Sequence, residues 1–386
     1  MELTCRQLTA ATMFAYTTSF HHVDWIVRRQ EAALMSSYLV EQHGFTRIHL
    51  APTATTPPTA PRTGSPFPSA QELGVSPEHN FQHVDSLSAH VTLRWRERWV
   101  MTGAWDDAVV NQLLIRPFFL LVSVDAPLMV RWKRFQSVCA AKQLQAPDLE
   151  AFVLQNDEHL YAPNTGLCGL FQRAQLKLLN NSASLASLHD AIRAVNLLDD
   201  TRLRPDWDQY FMMIAGLAAM RCNCMKRRVG AVIVRDRRII STGYNGTSRR
   251  NTNCNQGGCR RCNSGTSGSL SACICLHAEE NALLEAGRER IGEGATLYCN
   301  TCPCLTCATK ITQVGITEVV YNQGYVVDEQ SAATLAKCGV TLRQFSPPAG
   351  GLVDLSIGIE SERLQGMLGA VGGLLSDDNL VRPLSN

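Results

Sequence analysis

Eleven of the fifteen cysteines in this 386-residue chain fall between Cys222 and Cys307. Such a density means either a disulfide framework or metal ligation, and the two leave different traces in a sequence. The total is odd. The mildly apolar segment from Leu8 to Phe20 lacks the basic start of a secretory signal, Glu2 offsetting Arg6. Both observations point to a reducing compartment, the cytoplasm or the nucleus, in which clustered cysteines bind metal. Nine of the ten histidines precede Cys222, so His277 is the single imidazole within the cysteine-rich stretch.

The stretch occupies the later part of a chain long enough for two domains. Thirty-six Lys and Arg against 34 Asp and Glu leave a formal charge of +2, so no global field draws the protein to nucleic acid or to an anionic membrane. No run approaches the length of a membrane-spanning helix. Glu31 to Phe45 carries Ala33, Leu34, Tyr38, Leu39 and His43 at helical spacing before Gly44 stops it, and Arg47 to Leu50 reads as a strand. Residues 51–78 shift to Pro, Thr and Ser, the composition of a flexible insertion. Residues 79–200 resume order. Pro117 to Asp125 is a continuous apolar run of strand length, and helical patterns follow over Leu128–Leu144, Asp148–Leu160, Gly166–Leu179 and Ser184–Leu197.

A boundary falls near Asp200 to Pro205. Beyond it Asp206 is a good N-cap for a helix with Trp207, Tyr210, Phe211, Ile214, Leu217 and Ala218 on one face. A hairpin around Asp236-Arg237 follows, then a Gly- and Cys-rich loop to Cys275. After it come a helix over His277–Ala286, a strand over Thr296–Asn300, a helix over Cys304–Val314 and a strand over Thr317–Tyr321. A helix near Glu329–Cys338 and a strand over Val340–Phe345 complete the pattern. This alternation implies an α/β fold with helices on both faces of a sheet. Residues 346–386 are Gly-rich and weakly patterned, as expected of a tail.

Three elements in this second region carry chemistry: His277-Ala278-Glu279, Pro303-Cys304 and Cys307. A lone H-x-E is common by chance, and a lone C-x-x-C is often half of a structural zinc site. In this order, with the proline, they form the signature of zinc nucleobase deaminases, in which one His and two Cys hold the metal and the Glu shuttles protons. Cys304 and Cys307 stand three apart at the start of a helix, so both sulfurs leave one face and the helix terminus favours thiolates. Three protein ligands leave the fourth zinc position open for water, which is a catalytic arrangement. Glu279 is then the candidate catalytic residue.

The region from Asp206 to Phe345 resembles the deoxycytidylate deaminase family, of the zinc-dependent cytidine/deoxycytidylate deaminase superfamily. The resemblance rests on VGAVIV at Val229–Val234, STGYNGT at Ser241–Thr247, LHAEENALL at Leu276–Leu284 and TCPCLTCATKI at Thr301–Ile311. The long insert and the extra N-terminal region are most similar to the fungal form. The resemblance implies a three-layer α/β/α catalytic domain over 206–345 with a mixed central sheet. It also implies zinc-dependent hydrolysis of dCMP to dUMP and ammonia, feeding thymidylate synthesis. A homohexamer activated by dCTP and inhibited by dTTP goes with it. By the same resemblance Asn245 contacts the sugar, Tyr325 lies against the substrate, and Asn281 is a further nucleotide contact.

Seven more cysteines need an account, because one such zinc takes only two thiolates. Cys259 and Cys262 make a second C-x-x-C in a loop with little apolar content, which a closed zinc site would fix. Family resemblance assigns Cys224, Cys254 and Cys275 to a structural zinc, with Cys262 or Cys259 as the fourth ligand. Between Arg221 and Arg261 stand eleven Lys and Arg against Asp236 alone. That local charge suits anionic mononucleotides and triphosphate effectors, with Lys226, Arg228 and Arg249 as candidate contacts, and it equally suits RNA. A deaminase acting on a base in tRNA or single-stranded DNA is therefore the alternative reading. A non-catalytic zinc-binding nucleic-acid module is a further one, which would leave Glu279 without purpose.

Arg116 to Phe135 resembles the strand, Asp-Ala-Pro turn and Arg-x-x-Arg helix start of P-loop nucleoside or coenzyme kinases. The chain contains no Gly-Lys pair, hence no phosphate cradle of that kind, and Met1 to Gln30 is unpatterned where the first strand and loop would stand. A degenerate kinase-like region without phosphotransfer is the expectation for 1–200.

Overall fold

The structure is a computed structural model that describes residues 12–14, 34–50, 79–102, 107–141, 143, 145–162, 166–264, 273–323, 329–347 and 351–355. The 51–78 insertion and most of the expected tail lie outside these residues. The chain divides into two units, one of residues 1–204 with 349–386 and one of Pro205–Pro348.

The first unit contains β1 (Thr12–Phe14), α1 (34–43), β2 (Thr46–Leu50), β3 (His79–Phe81), α2 (Val84–Leu93), β4 (Trp99–Met101) and α3 (Asp107–Leu114). β5 (Leu120–Asp125), α4 (Leu128–Ala141), α5 (Leu149–Tyr161), α6 (Cys168–Arg173), β6 (Leu176–Leu179) and α7 (Leu185–Val195) follow. α1 stops at Gly44, whose φ of +66° suits glycine, while the Gly44 and Phe45 amides reach back to the carbonyls of Val40 and Leu39. Two parallel sheets result, one in the order β3-β2-β4 and one in the order β1-β5-β6-β14, where β14 is Gly351–Asp354.

Three expectations are corrected here. Thr12–Phe14, inside the unpatterned start, pairs with Leu120–Val122. The helical reading of Gly166–Leu179 splits into α6 and β6, because Leu176 and Leu178 alternate with less buried neighbours at the two-residue period of a strand. Gly351–Asp354, in the expected tail, pairs with β6, and Leu355 beside it is buried in the same core as Leu120, Val122 and Leu178.

The second unit follows its sequence reading closely. α8 (Trp207–Met220) begins at Asp206, whose carboxylate accepts from the Gln209 amide at 2.7 Å. β7 (Gly230–Arg235) and β8 (Arg238–Tyr244) meet through Asp236-Arg237, both at positive φ as a two-residue hairpin turn requires. Next come β9 (Gly246–Thr247), the single turn α9 (Arg260–Asn263), β10 (Cys275–Leu276), α10 (Ala278–Ile291), β11 (Ala295–Thr301) and α11 (Leu305–Gln313). β12 (Ile316–Gln323), α12 (Glu329–Lys337) and β13 (Thr341–Gln344) close the unit.

The sheet runs β13-β12-β11-β7-β8. β7 is antiparallel to both β8 and β11, whereas β12 is parallel to β11 and β13, so the sheet is mixed. Alternation along the strands separates two cores. Ala231, Ile233, Leu297, Cys299 and Val319 pack with Ala282, Ile311 and Leu335 of α10, α11 and α12. Val232, Val234, Tyr298 and Val320 pack with Phe211 and Ala215 of α8. The result is three layers, helix, sheet and helix. α10 lies so close over β8 that a Cβ on Gly243 would run into the backbone of Ala278 and Ala282.

Candidate active site

α10 and α11 point their N-termini toward one cavity of about 420 Å³ beside the C-terminal end of β11. His277 and Cys304 occupy their N-cap positions in extended backbone, and Cys307 lies one turn into α11, 1% exposed. His277 Nδ1 is 3.4 Å from Cys304 Sγ and 3.5 Å from Cys307 Sγ. An imidazole nitrogen and a thiolate bound to one tetrahedral zinc stand about 3.6 Å apart, so both nitrogen–sulfur pairs among the three ligand atoms already have the spacing the metal needs. They lie within 4.8 Å of one another. The site is therefore fit to hold zinc by donor type and by distance.

Its electrostatics agree. A hydrogen bond from Cys307 and the adjacent His277 ring draw the Cys304 thiol down to about 3, while that contact and burial push Cys307 up. Glu279, 4% exposed, lines the cavity, and burial raises its carboxyl to about 7, where it can both accept and donate a proton near neutrality.

Asn245 braces the arrangement. Its Oδ1 accepts from the first amide of α10, Ala278, at 2.7 Å, and its Nδ2 donates to the Arg227 carbonyl at 3.3 Å. It is 6% exposed and lines the cavity. Asn281 donates to the Tyr244 carbonyl at the end of β8 at 2.9 Å and is not among the cavity residues. Tyr325 lies outside the described residues. Lys226 lines the cavity with Arg227 and Arg261, whereas Arg228 and Arg249 are exposed and do not.

Part of the cavity wall is cysteine, with Cys224, Cys262, Cys273 and Cys275 lining it. Cys224, Cys254, Cys262 and Cys275 form one four-sulfur group, and Cys259, Cys262, Cys273 and Cys275 form a second. The sequence reading found five of these and left out Cys273. The C-x-C spacing of Cys273 and Cys275 was the available signal, since residues two apart in extended chain share a face. Arg227, Arg261, Thr301 and Cys302 were also missed as cavity residues; Cys302 stands in the same C-x-C spacing with Cys304, and no spacing pattern marks the other three.

Residues 205–323 match the family model described as the cytidine and deoxycytidylate deaminase zinc-binding region. The deoxycytidylate deaminase of Schizosaccharomyces pombe is 50% identical over 273 residues, covering 70% of this chain and 83% of that one. The chain belongs to the deoxycytidylate deaminase family. The Saccharomyces cerevisiae member is 47% identical over 248 residues, with 62% of this chain and 78% of that one covered. The Mycobacterium phage D29 deoxycytidylate deaminase is 45% identical over 125 residues, which span 31% of this chain but 95% of the phage protein. Both fungal matches contain more residues than Pro205–Pro348 does, so the likeness to the yeast members reaches into residues outside the second unit.

Proposed function

We propose that this enzyme hydrolyses dCMP to dUMP and ammonia, supplying dUMP for thymidylate synthesis. The observation that carries the reading is a single cavity that unites His277, Cys304 and Glu279 with Asn245 and the cations Lys226, Arg227 and Arg261. The names of the relatives point the same way.

Zinc held by His277, Cys304 and Cys307 supplies Lewis-acid activation of water when bound. Glu279 takes the proton released as water adds to C4 of the cytosine ring and delivers it to ring N3, then takes the proton of the new C4 hydroxyl and delivers it to the departing amine as the carbonyl forms. One C–O bond forms, one C–N bond breaks, and ammonia leaves. Asn245 keeps a lone pair on Oδ1 and a hydrogen on Nδ2 beyond its internal bonds, which suits a deoxyribose hydroxyl. Tyr325 remains a proposed neighbour of the substrate. Lys226, an effector contact by the sequence reading, is better suited to the substrate phosphate because it shares the cavity with Glu279.

A structural zinc site in the cysteine wall belongs to the same reading. Assembly as a homohexamer, activation by dCTP and inhibition by dTTP rest on family likeness, with exposed Arg228 and Arg249 as triphosphate contacts. Residues 206–345 form the catalytic domain. For the first unit we keep the degenerate kinase-like reading, supported by its all-parallel pairing and by β5 leading through Asp125-Ala126-Pro127 into α4. Without a Gly-Lys pair it should hydrolyse no ATP.

The test offers the pure protein dCMP, CMP, deoxycytidine and a cytosine-bearing oligonucleotide, and follows ammonia. Preference for dCMP is expected. Activity confined to the oligonucleotide would replace this reading with a nucleic-acid base deaminase.

A further inference from the structure

The cysteine wall is a small core made of sulfur. Cys254 and Cys259 are fully buried, Cys262 is 6% exposed, and the partly buried residues packed against them are Cys224, Cys273 and Cys275. Among the described residues, this apolar cluster of the turn α9, the loop around Cys254 and strand β10 consists of these six cysteines alone. The six are free thiols.

Their spacing is that of metal ligands. Sγ to Sγ separations are 3.8 Å for Cys224–Cys262, 3.8 Å for Cys259–Cys273, 3.6 Å for Cys262–Cys273 and 4.0 Å for Cys262–Cys275. A disulfide needs about 2.05 Å. Four thiolates on one tetrahedral zinc, each at about 2.3 Å, stand about 3.8 Å apart. Those four separations are close to that spacing, all sulfurs within each four-sulfur group lie within 4.8 Å of one another, and the two groups have Cys262 and Cys275 in common.

Two tetrahedra that share two corners share an edge. We propose that this wall is a binuclear zinc–thiolate cluster, with Cys224 and Cys254 terminal on one zinc, Cys259 and Cys273 terminal on the other, and Cys262 and Cys275 bridging both. Two ions engage all six sulfurs, whereas a single zinc in either group leaves two thiols of the other group unused beside it. Two Zn²⁺ with six thiolates carry the same net charge, −2, as one Zn²⁺ with four, so the second ion adds no uncompensated charge to the site. Donors already face the sulfurs: the Met225 amide is 3.5 Å and Asn263 Nδ2 is 3.8 Å from Cys254 Sγ.

The cluster has a mechanical consequence. Cys275 begins β10, which pairs with β9 at Thr247↔Cys275 and Gly246↔Leu276, so the bridging sulfur sits two residues before His277 and across from the residues after Asn245. The cluster thus fixes the two chain segments that lead to His277 and away from Asn245. The proposal takes these cysteines as metal ligands and does not depend on which substrate the cavity accepts.

The test is zinc counted per chain by plasma mass spectrometry on the full-length protein and on Cys304→Ala/Cys307→Ala, which removes two ligands of the other site. About three zinc ions are expected in the wild type and about two in the variant. Two in the wild type and one in the variant would overturn the binuclear cluster while leaving the His277 site intact. Two in both would uphold the cluster and overturn the His277 site instead. Cys259→Ser/Cys273→Ser should drop the wild-type count by one, and an unchanged count would overturn the assignment. Should a variant fail to fold, zinc-edge X-ray absorption on the wild type still decides. A zinc–zinc distance of about 3 Å, as edge-sharing tetrahedra impose, supports the cluster, and its absence overturns it.

Discussion

Asn245 spends its side chain on the frame of the site. Its Oδ1 takes the Ala278 amide that would otherwise be an unpaired donor at the start of α10, and Nδ2 holds the Arg227 carbonyl. Asn245→Ala should therefore lower stability by about 1–2 kcal/mol in urea unfolding and also reduce turnover, because the orphaned amide is buried. Asn245→Asp keeps the acceptor for Ala278 and should recover most of the stability. Lys226 offers a different kind of test. If it meets the substrate phosphate, Lys226→Ala should raise KM for dCMP about tenfold, as loss of a charge-assisted bond implies, and leave KM for deoxycytidine unchanged. Equal effects on both substrates would remove Lys226 from the phosphate site. The convergence of His277, Glu279, Cys304 and Cys307 was legible in the sequence because the chemistry proposed for them demands fixed residue types at fixed spacing. The other cavity residues were not, since Arg227, Arg261 and Thr301 arrive from separate parts of the chain and no periodicity records where a loop ends in space.

At the scale of elements, one polar network fastens α8 to three strands of the sheet. Asp208 of α8 receives the Tyr298 hydroxyl at 2.9 Å and both terminal nitrogens of Arg343 at 2.7 and 3.1 Å, and Arg343 Nε donates to Glu318 at 3.0 Å. The hydrogen bonds from Arg343 hold the Asp208 carboxyl below its ordinary value, against the opposing effect of burial. A carboxyl depressed on folding stabilises at pH above its unfolded value of about 3.9, and the contribution is lost as pH falls through the lower folded value. Arg343→Met should accordingly flatten the fall of the unfolding midpoint between neutral pH and about pH 3, and should cost about 1 kcal/mol at pH 7, since the pair is partly exposed. An unaltered pH profile would show that Asp208 owes its shift to something else. The elements of the second unit were legible because caps and turns announce them, Asp206 before α8 and Asp236-Arg237 between β7 and β8. In the first unit the misread strands are short: β6 has four residues and follows α6 after two, and β14 has four glycine-led residues whose partner is remote in sequence. Such strands owe their existence to pairing, which a local pattern does not contain.

For the whole molecule, the second unit contains every residue proposed for chemistry that the structure describes, and the cores on both faces of its sheet are complete within Pro205–Pro348. No helix among the described residues is long and apolar enough to cross a membrane. A chain starting near Leu203 should retain dCMP deamination, which ammonia release from that fragment would check. In the proposed reaction Glu279 moves the protons while His277, Cys304 and Cys307 hold the metal. The most direct measurement compares dUMP formed from dCMP by the wild type and by Glu279→Gln, with zinc counted on the same samples. Glutamine keeps the shape of the buried carboxyl but cannot transfer its proton, so the zinc content should be unchanged while kcat falls by about 10³ or more. A Glu279→Gln protein with full zinc and kcat within about threefold of the wild type would contradict it.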